Sequence, residues 1–505
     1  MDRGRLPRNV MLMAAVQSWS VVLLVVSTPI LLRSLGQQRF GIFLLVSVVI
    51  GYVGFLDLGL APALVRAVAM LRASDDIGAL QRVIATAFTL LLLVGALGCI
   101  SIVVAAPWIG AFVLHVNRHV QPEAVSVVRL AGLGFGVNMA LVVFVAVTLG
   151  LQRFDIYVVR SLVLSTLTTV GQVGVVLSGG GLVRVAQVSV AASVVSILLF
   201  AIVVKRLLPR ISFVPGWDRR AMRQLVGFGG VKFANQIASQ ASFQVDRSLV
   251  AIMLPISNLP VYMIPLGIAQ KILVLHGAIA SAFFPAASEL THPDDAGRLR
   301  HLYLGASRIN ACAMFPLAAV LVGFSRPILS VWLGSRFEAP AGPVLIVLAF
   351  GYALAGLIGL PAQLADATGH PAWTLAMTTV AGLFGIPLTV VALLWLGPVG
   401  AAMAYVAVLI PVGLGFASIV QSRLLHISWP TVIRVSLGRP ALASIPLFVY
   451  AVVAGNMIEG PWALGLAVGA GCIGYAVLTW LFGVWTADEM GLVKKLIGRR
   501  LESTA

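Results

Sequence analysis

The chain is short of charge, shorter still of acid, and nearly without cysteine. Only 10% of its 505 residues are charged, with 17 acids against 34 lysines and arginines. A soluble globular chain carries about a quarter charged residues, so this scarcity excludes an ordinary water-facing surface. The three cysteines, Cys99, Cys312 and Cys472, all fall inside apolar runs. They read as small core residues, with no support for a disulfide framework or a metal site. No glycine-rich nucleotide loop, zinc-ligand spacing or nucleophile elbow occurs in a credible context. Long polar connections are missing too. That argues against a membrane-embedded glycosyltransferase or polymerase, which needs a sizeable loop or domain bearing acidic groups.

What is abundant is hydrocarbon. Sixty per cent of the residues are hydrophobic and the mean hydropathy is +1.03. Windows of about 20 apolar residues, enough to cross a bilayer, recur along the whole chain. The expected fold is an all-α polytopic membrane protein with about fourteen spans: 10–32, 40–60, 83–106, 124–149, 156–177, 182–204, 225–243, 259–285, 302–324, 341–365, 373–395, 399–420, 441–457 and 461–485. The first run is too long for a signal-peptide core and counts as a span. A net charge of +17 would suggest nucleic acid in a soluble protein, but here the basic residues gather in alternate loops. By the positive-inside rule both termini are expected in the cytoplasm, with no nucleic-acid partner. Arg33 and Arg39 run against the rule locally.

Internal repetition organises the spans. Gly-Leu-Gln-Arg at 150–153 can be set against Ala-Thr-Gly-His at 367–370, and Gly180-Gly181 falls opposite Gly397-Pro398 at the same offset. Six spans per repeat is an even number, so the two lobes are expected to be parallel, around a central cavity, with two further helices at the C-terminal end. The expected division is an N-lobe over 1–204, a basic cytoplasmic linker over 205–224, a C-lobe over 225–425, two helices over 426–485 and a cytoplasmic tail over 486–505. Lys205, Arg206, Arg210, Arg219, Arg220 and Arg223 give the linker an attraction to anionic headgroups of about 1 kcal/mol per residue near the surface.

Charges at membrane depth are the candidate functional residues, because each is expensive in lipid. In the seventh span Lys232, Gln236, Gln240 and Gln244 recur every fourth residue, flanked by Asn235 and Ser239, which places them on one helix face. Such a stripe lines a cavity or glues two helices together; amides suffice as glue, so Lys232 favours the cavity. Arg129, Lys271 and Arg308 are further cations inside apolar runs, although Arg129 and Arg308 lie near enough to span ends to be read as snorkelling anchors. The acids nearest membrane depth are Asp57, Asp246 and Asp366. A cavity with excess positive charge suits a dense anion such as a diphosphate.

The sequence also carries a motif. Arg33, Leu35, Gly36, Phe40 and Gly41, followed one apolar helix later by Asp57, Leu58 and Gly59, give the order R-x-L-G-x-x-x-F-G … D-L-G. This resembles the polysaccharide-exporter family of bacterial flippases, in the superfamily that also holds multidrug exporters and lipid II flippases. GLQRFD at 150–155, QVDR at 244–247, FFPAASEL at 283–290 and ATGH at 367–370 extend the resemblance over nearly the full chain. Leu259-Pro260-Val261-Tyr262 departs from it, since the family shows a glycine before the tyrosine. The resemblance implies a flippase, not an enzyme, in the bacterial cytoplasmic membrane. Its implied substrate is an undecaprenyl-diphosphate-linked oligosaccharide, moved from the inner to the outer leaflet for polysaccharide assembly by alternating access of the two lobes. Membrane lipids and the polysaccharide polymerase machinery are the other implied partners. No cofactor is implied, and coupling to protons, sodium ions or the membrane potential stays open. In that reading Lys232 and Lys271 meet the diphosphate, while Asn235, Gln236 and Gln240 meet sugar hydroxyls. Arg129 and Arg308 add positive charge, and Asp57 pairs with Arg33 or Arg66 or titrates during coupling. The alternative within the same architecture, a multidrug exporter, would bind cations and should show acids in place of the lysines.

Overall fold

A computed structural model of the chain describes residues 5–53, 57, 59–73, 76–113, 118–227 and 246–484. Among these the regular structure is entirely helical, and eleven helices are long and apolar enough to cross a membrane. Helix is the expected solution, because hydrocarbon offers the backbone no partner outside its own segment. The described residues divide into two compact units on either side of Pro260.

The first unit contains α1 (Arg5–Val53), α2 (Leu60–Ala73), α3 (Ile77–Trp108), α4 (Gln121–Gly150), α5 (Phe154–Leu177) and α6 (Leu182–Leu207). The expected spans 10–32 and 40–60 both feed α1, whose backbone leaves the helical region at Gly36 (φ 76°, ψ 163°). Five residues on, a Cβ on Gly41 would collide with the carbonyl oxygen of Ile256. The two motif glycines therefore serve different ends: one bends the chain, the other lets two backbones meet. Asp57, 7% exposed, accepts a hydrogen bond from the Gly59 N–H at 3.0 Å, just ahead of α2. Its described partner is thus backbone at a helix start, the usual place for an aspartate cap.

Arg39, which defied the charge rule, has a local partner. Its Nε donates to Glu123 Oε2 at 2.8 Å, and Glu123 Oε1 also accepts from the backbone N–H of Leu182 at 3.2 Å. One carboxylate thereby joins the start of α4 to the start of α6 and to α1. Both side chains keep some solvent contact, so Arg39→Ala and Glu123→Ala are each expected to cost about 0.5–1 kcal/mol. The double variant should cost clearly less than the sum, because both singles break one contact. Thermal unfolding of the four proteins in detergent measures this, and strict additivity would show the pair to be idle.

The connection after α6 is held along α3. Ile211 is 1% exposed and Phe213 lies 5.2 Å from the Phe144 ring of α4. Gln81 brackets Ser212, accepting from its N–H and donating to its carbonyl, both at 2.6 Å. Thr89 Oγ1 accepts from Gly216 N–H at 2.9 Å, and Thr86 Oγ1 from Asp218 N–H at 3.1 Å. Backbone donors outside a helix need such partners when packed against a protein surface. Arg206, Arg210, Arg219 and Arg220 meanwhile stay exposed.

The second unit takes in α7 (Asn258–Ala269), α8 (Ile272–Glu289), α9 (Ala296–Gly323), α10 (Ser325–Leu333), α11 (Glu338–Ala367) and α12 (Pro371–Leu424). Two further helices follow, α13 (Trp429–Gly455) and α14 (Pro461–Leu481). Expected spans 373–395 and 399–420 run into one another as α12, interrupted at Gly397 (φ 59°, ψ −141°). The expected span 225–243 falls largely within 228–245, outside the described residues. Phe283, Tyr303, Leu364, Phe416 and Val420 form the main core, drawn from α8, α9, α11 and α12. Ala319, Ala443, Leu447 and Tyr475 fasten α13 and α14 to α9.

The repeat seen in the sequence has a backbone counterpart. After α4 the N–H groups of Leu151, Gln152 and Arg153 donate to Val147, Leu149 and Thr148. After α11 those of Thr368, Gly369 and His370 donate to Leu364, Asp366 and Ala365. The offsets are the same, as is the left-handed residue, Gln152 (φ 57°) in one and Gly369 (φ 84°) in the other. Both are helix C-terminal motifs that satisfy the last carbonyls.

Candidate functional site

The seventh-span candidates Lys232, Asn235, Gln236 and Gln240 lie outside the described residues. The site is therefore built from the second unit, beginning at Lys271. Between α7 and α8 the helix stops at Gln270-Lys271, in the middle of the apolar segment 258–289. Lys271 N–H reaches back to Ile268 O at 3.0 Å and Val274 N–H to Lys271 O at 3.2 Å, bonds across three residues that tighten the backbone into a turn. Gln270 Nε2 donates to the Tyr352 hydroxyl at 3.1 Å, tying the break to α11. Broken helices at membrane depth persist only where protein or a wet cavity satisfies the freed groups. Leu273 N–H likewise reaches Gln270 O at 3.1 Å, so the chain passes from α7 to α8 through one tightened turn that carries the half-buried Lys271.

Five residues along α8, about 7 Å of rise, His276 opens onto a cleft of about 510 Å³ lined also by Ser281, Phe284, Pro285 and Gln363. No carboxylate is among the residues lining it. The His276 ring is fixed from behind. Its Nδ1 lies 3.3 Å from Asn310 Oδ1, and Asn310 Nδ2 donates to the Gly356 carbonyl at 2.9 Å. Asn310 is fully buried. A Cβ on Gly359 would run into the imidazole, so α11 can lie against it only with glycine there. Along α9, Tyr303, Ser307 and Asn310 share one face and line a second, small cavity of about 70 Å³ with Gln421. Gln421 Nε2 donates to the Tyr303 hydroxyl at 2.8 Å.

The other candidates scatter. Arg308 is half-buried on α9, but two positions before Asn310 it points about 200° round the helix, away from the wall that holds His276. Arg129 is exposed on α4, Arg33 on α1 and Arg66 on α2. His276, Asn310 and Gln363 were not among the candidates read from the sequence. For two of them the signal was present: His276 and Asn310 are polar side chains inside apolar runs, and such groups need partners.

The fold is that of a polytopic membrane protein. Solved structures of that class share the fold. The lipid II flippase MurJ in an inward closed conformation superposes with a TM-score of 0.71 at 13% identity, over 94% of this chain and 98% of that one. An inward-facing multidrug resistance MATE family transporter of the MOP superfamily gives 0.66 at 15% identity, over 82% and 96%. The chain itself belongs to the polysaccharide biosynthesis protein family, which residues 30–341 match. It is similar to a putative O-antigen transporter of Shigella flexneri, 23% identical over 344 residues, 68% of this chain and 80% of that one. It is also similar to the uncharacterized membrane protein EpsK of Bacillus subtilis strain 168, 27% identical over 354 residues, 68% of each. The family match includes Lys271, His276 and Asn310 and stops short of Gln363.

Proposed function

We propose that the protein is a flippase that moves a polyprenyl-diphosphate-linked oligosaccharide from the inner to the outer leaflet of a bacterial cytoplasmic membrane, supplying polysaccharide assembly. The observation that carries this is the helix break at Gln270-Lys271. It sets a lysine in the middle of an apolar segment, about 1.4 turns along α8 and about 140° round it from a cleft that offers imidazole, amide and hydroxyl. A diphosphate suits the first group and sugar hydroxyls suit the second. The prenyl tail can remain in lipid, so only the headgroup needs a polar route, and alternating access of the two lobes expected from the sequence would open that route to one leaflet at a time. Lys232, Asn235, Gln236 and Gln240 belong to the same proposal as substrate contacts. The multidrug reading is weaker, because the residues lining this cleft include no acid to hold a cation.

The test is translocation by the purified protein in proteoliposomes. A fluorescent lipid-linked oligosaccharide placed in one leaflet should become accessible to a membrane-impermeant glycosidase on the other side, at a rate well above that of protein-free vesicles. Equal rates with and without protein, together with uptake of a cationic dye, would replace the proposal with the multidrug reading.

A further inference from the structure

The first unit carries an unassigned groove with a fixed cation partway along it. It lies between α5 and α6, has a volume of about 360 Å³, and its exposed wall is apolar. Val159, Val163 and Leu167 along α5 are each half or more exposed. Val163 and Leu167 also border a second depression beside Trp19 of α1, so the apolar surface continues along α5. A surface of this kind faces hydrocarbon comfortably; the guanidinium within it needs another explanation.

Arg160 sits midway along the groove, with Ile156 and Val159 before it on α5 and Val163 and Leu167 after it. Its Nε donates to Ser196 Oγ at 3.1 Å, and its carbon lies 5.3 Å from the centre of the Phe200 ring. Ser196 and Phe200 are themselves 2% and 3% exposed, so the guanidinium is fixed rather than free to snorkel. Among the described residues no acid pairs with it. Asp155, the one acid lining the groove, is engaged by Arg153 through Nε at 3.0 Å and Nη2 at 2.9 Å. A guanidinium has five donors, and the Ser196 contact uses one. The fork at its far end is therefore presented in an apolar setting, the arrangement that holds a phosphate with two parallel hydrogen bonds.

We propose that this groove binds an anionic glycerophospholipid, with its phosphate on Arg160 and one acyl chain along Val159, Val163 and Leu167. Hydrocarbon lines the groove on either side of the charge and continues past it along α5 to Val170. The groove's residues are separate from those of the site at Lys271. It lies in the first unit and stands or falls independently of the substrate.

Native mass spectrometry of the full-length protein in detergent tests this, with phosphatidylglycerol, phosphatidylcholine or polyprenyl diphosphate added at equal concentration. The wild type should retain phosphatidylglycerol over phosphatidylcholine, and Arg160→Gln should retain it about fivefold less, the loss expected for one basic contact near the surface. Val163→Trp, which fills the groove and leaves the charge, should lose it as well and carries the comparison should Arg160→Gln fail to accumulate. Equal retention by wild type and both variants would overturn the proposal. So would Arg160-dependent retention of polyprenyl diphosphate in preference to phosphatidylglycerol, which would assign the groove to the transported lipid.

Discussion

Replacing Lys271 by alanine lowers the rate of oligosaccharide translocation about 30-fold or more, while the protein accumulates in the membrane at its usual level. Two facts set that expectation. Lys271 ends a helix break at membrane depth, and removing a charged contact from a partly desolvated site typically costs 2–5 kcal/mol, each 1.4 kcal/mol being tenfold. Lys271 has no ion-pair partner among the described residues, so its removal strands no acid there and folding should be spared. Lys271→Arg keeps the charge and should restore a good part of the rate, since both cations bind phosphate. The proteoliposome assay reads both variants. A normal rate for the alanine protein would take Lys271 out of the route, and a failure to accumulate would make it a structural residue.

The largest effect on stability is expected at the motif glycines. Gly36 has φ 76° and ψ 163°, a region open almost only to glycine, and a β-branched residue there costs about 1–3 kcal/mol. Nothing lies within 4 Å of a Cβ at that position, so the cost at Gly36→Val is backbone strain alone. Gly41→Val fails differently: its side chain would enter the Ile256 carbonyl, and relieving the overlap costs about 1–3 kcal/mol by displacing backbone. Both costs arise at Cβ, by backbone strain at Gly36 and by collision with backbone at Gly41, so Gly36→Ala and Gly41→Ala should each be nearly as harmful as the valine variant. Unfolding midpoints in detergent, with the level of folded protein in the membrane, measure the four variants. A stable Gly36→Val protein would mean that the bend is not required.

How much of this was legible beforehand depended on the kind of signal. Helical character was plain from apolar windows alone, and the equivalence of 150–153 with 367–370 proved to extend to the hydrogen bonds of the two turns. The division into spans was harder to see. Gly36 and Gly397 read as ends of segments, yet helix continues on both sides of each within one stretch. The site was legible one residue at a time and not as an arrangement. Lys271 was evident as a charge in an apolar run, but that it marks a helix break could not be read from periodicity, because Gln270 and Lys271 are good helix formers. Arg39 and Asp57 looked like unexplained charges. Glu123, 84 positions away, answers the first, and the Gly59 N–H answers the second.

By itself the sequence determined the class of molecule. A chain so apolar and so poor in acid must live in lipid, and lipid leaves helix as the only economical way to satisfy its backbone. The tertiary structure alone decided which polar groups face each other: His276 on Asn310, Arg160 on Ser196, the connection at 211–218 on α3. Those choices depend on which helices pack together and on where a helix stops, and a pairing between residues far apart in the chain leaves no local mark on either of them.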